Sequence, residues 1–136
     1  MAAAIDGVFV TMDCADPAPL GAFWAALLGG EVVMSTPSTV VVLSPTIDLA
    51  MVAVDDYVAP TWPDDTVPKQ LHLDIAVRDV EAAAAEAERL GARRADAQLR
   101  PDEWLVLFDP AGHPFCFTAK VPPEVFTARA PNLRRR

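Results

Sequence analysis

Gly7-Val-Phe-Val-Thr-Met-Asp-Cys14, followed by Ala15-Asp16, and Gln70-Leu-His-Leu-Asp-Ile-Ala-Val77, followed by Arg78-Asp79, are one pattern written twice. Each is a β-like run that ends on an aspartate and opens into helical periodicity. A carboxylate at that position accepts from the free amides of a first helical turn, so Asp16 and Asp79 read as N-caps. Pro17 follows at the first helical position, where its missing N–H costs nothing. Leu20, Phe23, Trp24, Leu27 and Leu28 then recur at the spacing of one buried helix face, and Gly29-Gly30 supplies the stop. In the second copy Val80, Ala83, Ala84, Ala87 and Leu90 give a slimmer stripe that ends at Gly91. Its outer face carries Glu81, Glu86, Glu88 and Arg89.

The offset from Asp16 to Asp79 is 63 residues, and from Leu28-Gly29 to Leu90-Gly91 it is 62. A fixed offset with the same order of elements marks a duplicated module. Strand candidates follow each helix: 31–36, 39–44 and 47–54 in the first copy, 93–98, 104–108 and 114–118 in the second. Pro45-Thr46 and Asp109-Pro-Ala-Gly112 are turn signals between the last two of each set. The expected organisation is one domain over 1–120, with module one at about 5–54, a connector at 55–69 and module two at about 70–120. The connector holds three prolines, and its Trp62 reads as a packing plug over one end of a sheet. Residues 121–136 form a tail without a core pattern, its last residues expected to fray.

Composition narrows the class. The 136 residues are 52% hydrophobic and 22% charged, which excludes disorder for the bulk of the chain. A folded chain of this mass buries about two-thirds of its surface, enough for a core without staples. The formal charge of −8 repels phosphate backbones and anionic membranes, so neither nucleic acid nor membrane is an expected partner. Cys14 and Cys116 make no disulfide framework, and MAAAIDG lacks a signal-peptide pattern. The expected location is the cytoplasm.

Strand alternation places the polar chemistry. Successive side chains point to opposite faces, so Leu71, Leu73, Ile75 and Val77 share the helix side while His72, Asp74 and Ala76 share the other. In the first copy Val8, Val10, Met12 and Cys14 face the helix, and Phe9, Thr11 and Asp13 oppose them. A sheet face carrying His, Asp, Thr and Phe lines either solvent or a ligand cavity. Phe23 and Trp24 read as core, His113 as a turn or surface residue, and Cys116 as a small buried filler.

The repeated strand-helix-strand-strand-strand plan, the HLDIAVRD start and the DPAGHPFCF ending resemble the glyoxalase/bleomycin-resistance/dioxygenase superfamily, the vicinal oxygen chelate proteins. The resemblance is strongest to the glyoxalase-like subgroup and spans about Ile5 to Lys120. It implies an α+β fold of two tandem βαβββ modules forming a curved mixed sheet around a cup-shaped cavity. It also implies a homodimer, and it places Trp104 and Val106 inside the cup. Metal-binding members carry one ligand on the first strand of each module, seven residues before the capping aspartate. That position is His72 in module two and Phe9 in module one. The last strand usually gives a glutamate seven residues after the aspartate of the DPxG turn, and here it is Cys116. Module one offers Leu49 or Met51 at the equivalent place.

His72 is thus the one metal candidate that matches, with Cys116 beside it, and two donors do not hold a divalent ion against water. No cofactor is expected, a divalent metal staying open only if Asp74 or Asp13 completes a His/Cys/Asp set. The leading expectation is a protein that binds a small, partly apolar or aromatic molecule without a catalytic metal. Phe9, Thr11, His72, Asp74, Trp104, Val106 and Cys116 would line its site, a few polar anchors in an aromatic cup. The alternatives are a metal-free isomerase, lyase or cyclase with His72 as acid and base, or a metal enzyme with a non-standard ligand set. No phosphate-binding glycine loop, dinucleotide fingerprint or nucleophile elbow is present.

Overall fold

The computed structural model describes residues 3–127. Its first half runs β1 (Val10–Cys14), α1 (Pro17–Leu28), β2 (Glu31–Ser35), β3 (Thr39–Leu43) and β4 (Leu49–Ala53). The second half repeats it as β5 (Leu73–Ala76), α2 (Val80–Leu90), β6 (Arg93–Arg94), β7 (Leu105–Phe108) and β8 (Pro114–Thr118), and a short α3 (Glu124–Thr127) follows. Each half builds a four-stranded mixed sheet, ordered β1-β4-β3-β2 and β5-β8-β7-β6, here sheets A and B. In each, the first strand pairs parallel to the last, and the other pairings are antiparallel. The fold is α+β with two tandem βαβββ modules.

The caps form as the sequence requires. Asp16 Oδ1 accepts from the Ala18 amide at 3.3 Å and Asp79 Oδ1 from the Ala82 amide at 3.0 Å. Gly29 closes α1 with φ of 64°, a left-handed conformation that costs glycine little. Gly21 lets α1 lie directly on β3, since a Cβ there would collide with Val40.

Some strand boundaries differ from expectation. The strand expected over 93–98 shortens to Arg93–Arg94, because Gln98 turns its amide into the ladder. Its Nε2 donates to the carbonyls of Ala95 and Val106, and its Oε1 accepts from the Val106 amide. Phe9, His72 and Trp104 each fall just outside a strand. The frayed end expected for the tail lies, from residue 128 on, outside the described residues. No helix among the described residues is long and apolar enough to cross a membrane.

The helix-facing sides of both sheets share one core. Trp24 of α1 is fully buried and meets Phe23 and Phe115 at ring-centroid distances of 5.2 and 5.1 Å. Phe115 in turn meets Phe117 edge-on at 5.6 Å. The two modules are therefore joined through α1 and β8. A polar staple lies beside this aromatic chain. The Trp24 indole N–H donates to Asp109 Oδ2 at 3.0 Å, while Asp109 Oδ1 accepts from the amides of Ala111 and His113 at 3.0 and 2.9 Å. Asp109 is only 4% exposed. Burial pushes its carboxyl above the ordinary carboxylate range, against the pull of His113 and these donors.

Trp24→Phe keeps one six-membered aromatic ring but removes the pyrrole ring from a fully buried site and one donor from a buried carboxylate, so a loss of about 2–5 kcal/mol is expected at neutral pH. The lost hydrogen bond is one that lowers the Asp109 pKa, so the variant's folded-state pKa rises further. Folded variant then holds its proton to higher pH than folded wild type, and its deficit grows as pH rises through that window. Urea unfolding between about pH 3 and pH 7 reads this, and a pH-independent deficit would reject it.

Candidate functional site

Strand β1 of sheet A and β5 of sheet B lie as neighbouring edges, and the connector passes over the gap between them. The gap is a cavity of about 390 Å³. Its apolar wall comes from Val10, Met12, Trp24, Tyr57, Leu73 and Phe115, so both helix-side faces contribute. Thr11, Asp13, Lys69, Gln70, His72 and His113 bring polar groups to it.

Local hydrogen bonds fix this geometry. Tyr57 donates its hydroxyl to the Ala111 carbonyl at 2.7 Å, tying the connector to the β7–β8 turn. Burial, then the fields of Asp109, Cys14 and Asp13, push the phenol up to about 12, so it is a proton donor at neutral pH. His113 Nε2 is 2.6 Å from the Asp13 carbonyl oxygen. That oxygen accepts only, so Nε2 carries the proton, and in the neutral ring Nδ1 is the acceptor. His113 thus bridges module two to β1. It is a half-buried residue of the turn, which folds back over β1.

The sequence-predicted residues divide between two places. Thr11 and His72 line the cavity. Asp74, Cys116 and Val106 form one cross-strand row on the outward face of sheet B, since Cys116 is paired with both Asp74 and Val106. Trp104 packs at the same face, where Ala95, Val106, Phe108 and Cys116 form a small cluster covered by Trp104 and Trp62. Phe9 is 49% exposed, beyond the end of β1. His72 joins the two places: it lines the cavity, and its Nε2 stands 3.3 Å from Asp74 Oδ1. The residues that spacing did not single out are Tyr57 and Lys69 of the connector, Trp24 of the core and His113. Their signal was an aromatic and a cation within a proline-rich segment that is too apolar to be a plain linker.

The chain belongs to the glyoxalase-like domain family, whose model matches residues 9–118. Among curated proteins none matches it in sequence. Solved structures share the fold at low identity. The fosfomycin resistance protein FosX from Mesorhizobium loti is 15% identical, with a TM-score of 0.62 over 91% of this chain and 99% of that one. A variant of FosX from Listeria monocytogenes, complexed with Mn(II) and dihydroxypropylphosphonic acid, is 18% identical, with a TM-score of 0.62 over 87% and 93%. The bleomycin-binding protein from Streptomyces verticillus, complexed with copper(II)-bleomycin, is 20% identical, with a TM-score of 0.57 over 88% and 100%.

A metal site of the kind seen in the Listeria protein does not fit the donors here. Among the described residues no three His, Cys, Asp or Glu side chains converge to hold an ion. Leu49 and Met51 are fully buried in the core, and the residue between them, Ala50, carries no donor. Burial, with the Asp74 carboxylate beside it, pushes the Cys116 thiol up to about 12, so it is not a ready thiolate. Cys14 is pushed up as well, by burial and then by Asp16.

Both thiols should therefore be inert in the native protein. With a pKa of about 12, Cys116 is thiolate in about one part in 10⁴ at pH 8. Labelling with a disulfide reagent at that pH is expected to be slow until denaturant is added, when both thiols react. Rapid native labelling of Cys116 would refute this account of its surroundings.

Proposed function

We propose that the chain binds a small, partly apolar or aromatic organic molecule between β1, β5 and the connector, without a catalytic metal. The observation that carries this reading is the cavity itself. A space of about 390 Å³ walled by Trp24, Tyr57 and Phe115, with His72, Thr11 and His113 at its polar points, has the make-up of a small-molecule site. Asp74, Trp104, Val106, Cys116 and Phe9 belong in this proposal to an outward surface continuous with His72. A homodimer is part of it too. Sheet A ends on β2, where Val32, Val33 and Met34 are each roughly half exposed on an unpaired edge, which supports a second copy lying nearby.

The close approach of His72 to Asp74 favours a second reading, in which His72 acts as acid and base on the bound molecule. A base beside a carboxylate that orients it is the usual arrangement for proton transfer. Turnover that disappears in His72→Ala while ligand affinity persists would carry that reading over simple binding.

N-phenylnaphthylamine, a neutral aromatic dye, is expected to bind at about one per chain and to brighten as it enters an apolar space. Val67→Trp places an indole in the cavity from the connector and leaves both sheets untouched. It should weaken the dye by at least about tenfold, and unchanged affinity would remove the cavity from the proposal. Titration of dialysed protein with zinc, manganese, iron and nickel is expected to show nothing tighter than high micromolar. Near-stoichiometric metal that vanishes in His72→Ala would overturn the metal-free part.

A further inference from the structure

The charges around the cavity are segregated. Asp13 lies towards Tyr57 and Cys14, whose ionisation its field opposes, and Asp56 adjoins Tyr57 in the chain. Lys69 stands on the sheet B side. It lines the cavity, its ammonium sits 4.7 Å from the centroid of the Trp62 ring, and its charge reaches Cys116 on the outward face of sheet B. Lys69 thus lines the cavity on its sheet B side, next to that face.

Among the described residues this ammonium pairs with no carboxylate. Asp74, the acid of that side, stands against His72 instead. Arg89, Arg94 and Arg100, by contrast, are all paired with glutamates. The seat of Lys69 is also fixed. Trp62 packs on Val106, Phe108 and Cys116, and its indole N–H donates to the Ala97 carbonyl at 3.3 Å. A cation over an indole face is held by the ring quadrupole and keeps its N–H donors for another partner. The adjacent Gln70 lines the same cavity and adds a side-chain amide.

We infer that Lys69, seated on Trp62, is the anchor for an anionic group, so that the molecule this cavity takes is an organic anion: a carboxylate, sulfonate or phosphonate with an apolar body. The anion accepts charge-assisted hydrogen bonds from the ammonium, and the apolar body lies against Trp24, Tyr57 and Phe115. Trp62 is a positioning residue, since it touches Lys69 and not the cavity. The inference rests on the cavity being a ligand site, as proposed above.

A matched pair of dyes tests it. Anilinonaphthalenesulfonate has the aromatic body of N-phenylnaphthylamine plus a sulfonate, so their affinity ratio isolates the anion. Only binding that Val67→Trp abolishes is counted. Wild type is expected to hold the sulfonate about tenfold tighter than the neutral dye. Lys69→Met should erase that preference, weakening the sulfonate about tenfold while the neutral dye stays within about twofold. Raising sodium chloride from about 50 to about 500 mM should weaken the sulfonate in wild type and not in the variant. Trp62→Leu, which frees the ammonium without removing it, should lose part of the preference.

If the neutral dye binds in the cavity but the sulfonate binds no tighter, or if Lys69→Met lowers both alike, the inference is wrong and the cavity reading stands. If neither dye shows binding that Val67→Trp removes, both fall together. Should Lys69→Met fail to fold, Lys69→Gln reads the same difference.

Discussion

The rest of the structure depends on a carboxylate that is held out of water. Asp109 sits in the β7–β8 turn of one module, and its partner Trp24 sits on the helix of the other. A buried carboxylate without donors would be far too costly, so the three N–H groups around it are a condition of the fold. Satisfying them fixes three things together. The indole orientation sets Trp24 edge-on to Phe115, the two backbone donors set the turn, and the turn carries His113 onto the carbonyl of Asp13. One small polar centre thus decides how module two lies on β1. The gap between β1 and β5 follows from that placement.

The duplicated plan was open to reading because it rests on local physics. Asp16 and Asp79 must cap, Leu28-Gly29 and Leu90-Gly91 must stop a helix, and alternation must set the faces of β1 and β5. Each of these is decided within a few residues. The outward row of Asp74, Cys116 and Val106 was legible for the same reason, since period two and one family pattern are enough to give it. The cavity was not. It lies between strand edges and draws on Trp24 and Phe115, which any periodicity argument assigns to the core. It also draws on Tyr57 and Lys69, whose segment has no period at all. His113 reads as a turn residue and is one, but its contact with β1 depends on how the turn folds back, which no local pattern gives.

The outward face of sheet B also explains why its donors do not fit a hard divalent ion. Such an ion needs several oxygen or nitrogen donors with free lone pairs converging on one point. Here the outward row presents a thiol whose proton is held by burial and by the acid beside it. Trp62 then lies over the row and excludes water from Val106 and Phe108. An apolar cover makes ionisation of Cys116 harder and leaves Asp74 to its histidine. The same indole gives Lys69 a place to rest. The row thus gathers few donors for a cation from solution and lies beside a cation of the chain's own.

Long-range and short-range electrostatics then act in opposite senses. A formal charge of −8 repels an approaching anion, but at physiological ionic strength that repulsion is largely lost beyond about 8 Å. At the cavity the balance is local. Lys69 is half-buried with one face on an indole, where screening is weaker than in open water, while Asp13 and Asp56 line the cavity by Tyr57. An anion that reaches Lys69 exchanges a mildly repulsive surface for a single fixed ammonium and an apolar wall. Its association therefore gains nothing from steering, and its selectivity resides in the rate of departure. A neutral molecule of the same shape meets the same wall without the ammonium and leaves sooner. Net charge, read alone, points to cationic ligands; the placement of one lysine reverses that conclusion at the only distance where binding is decided.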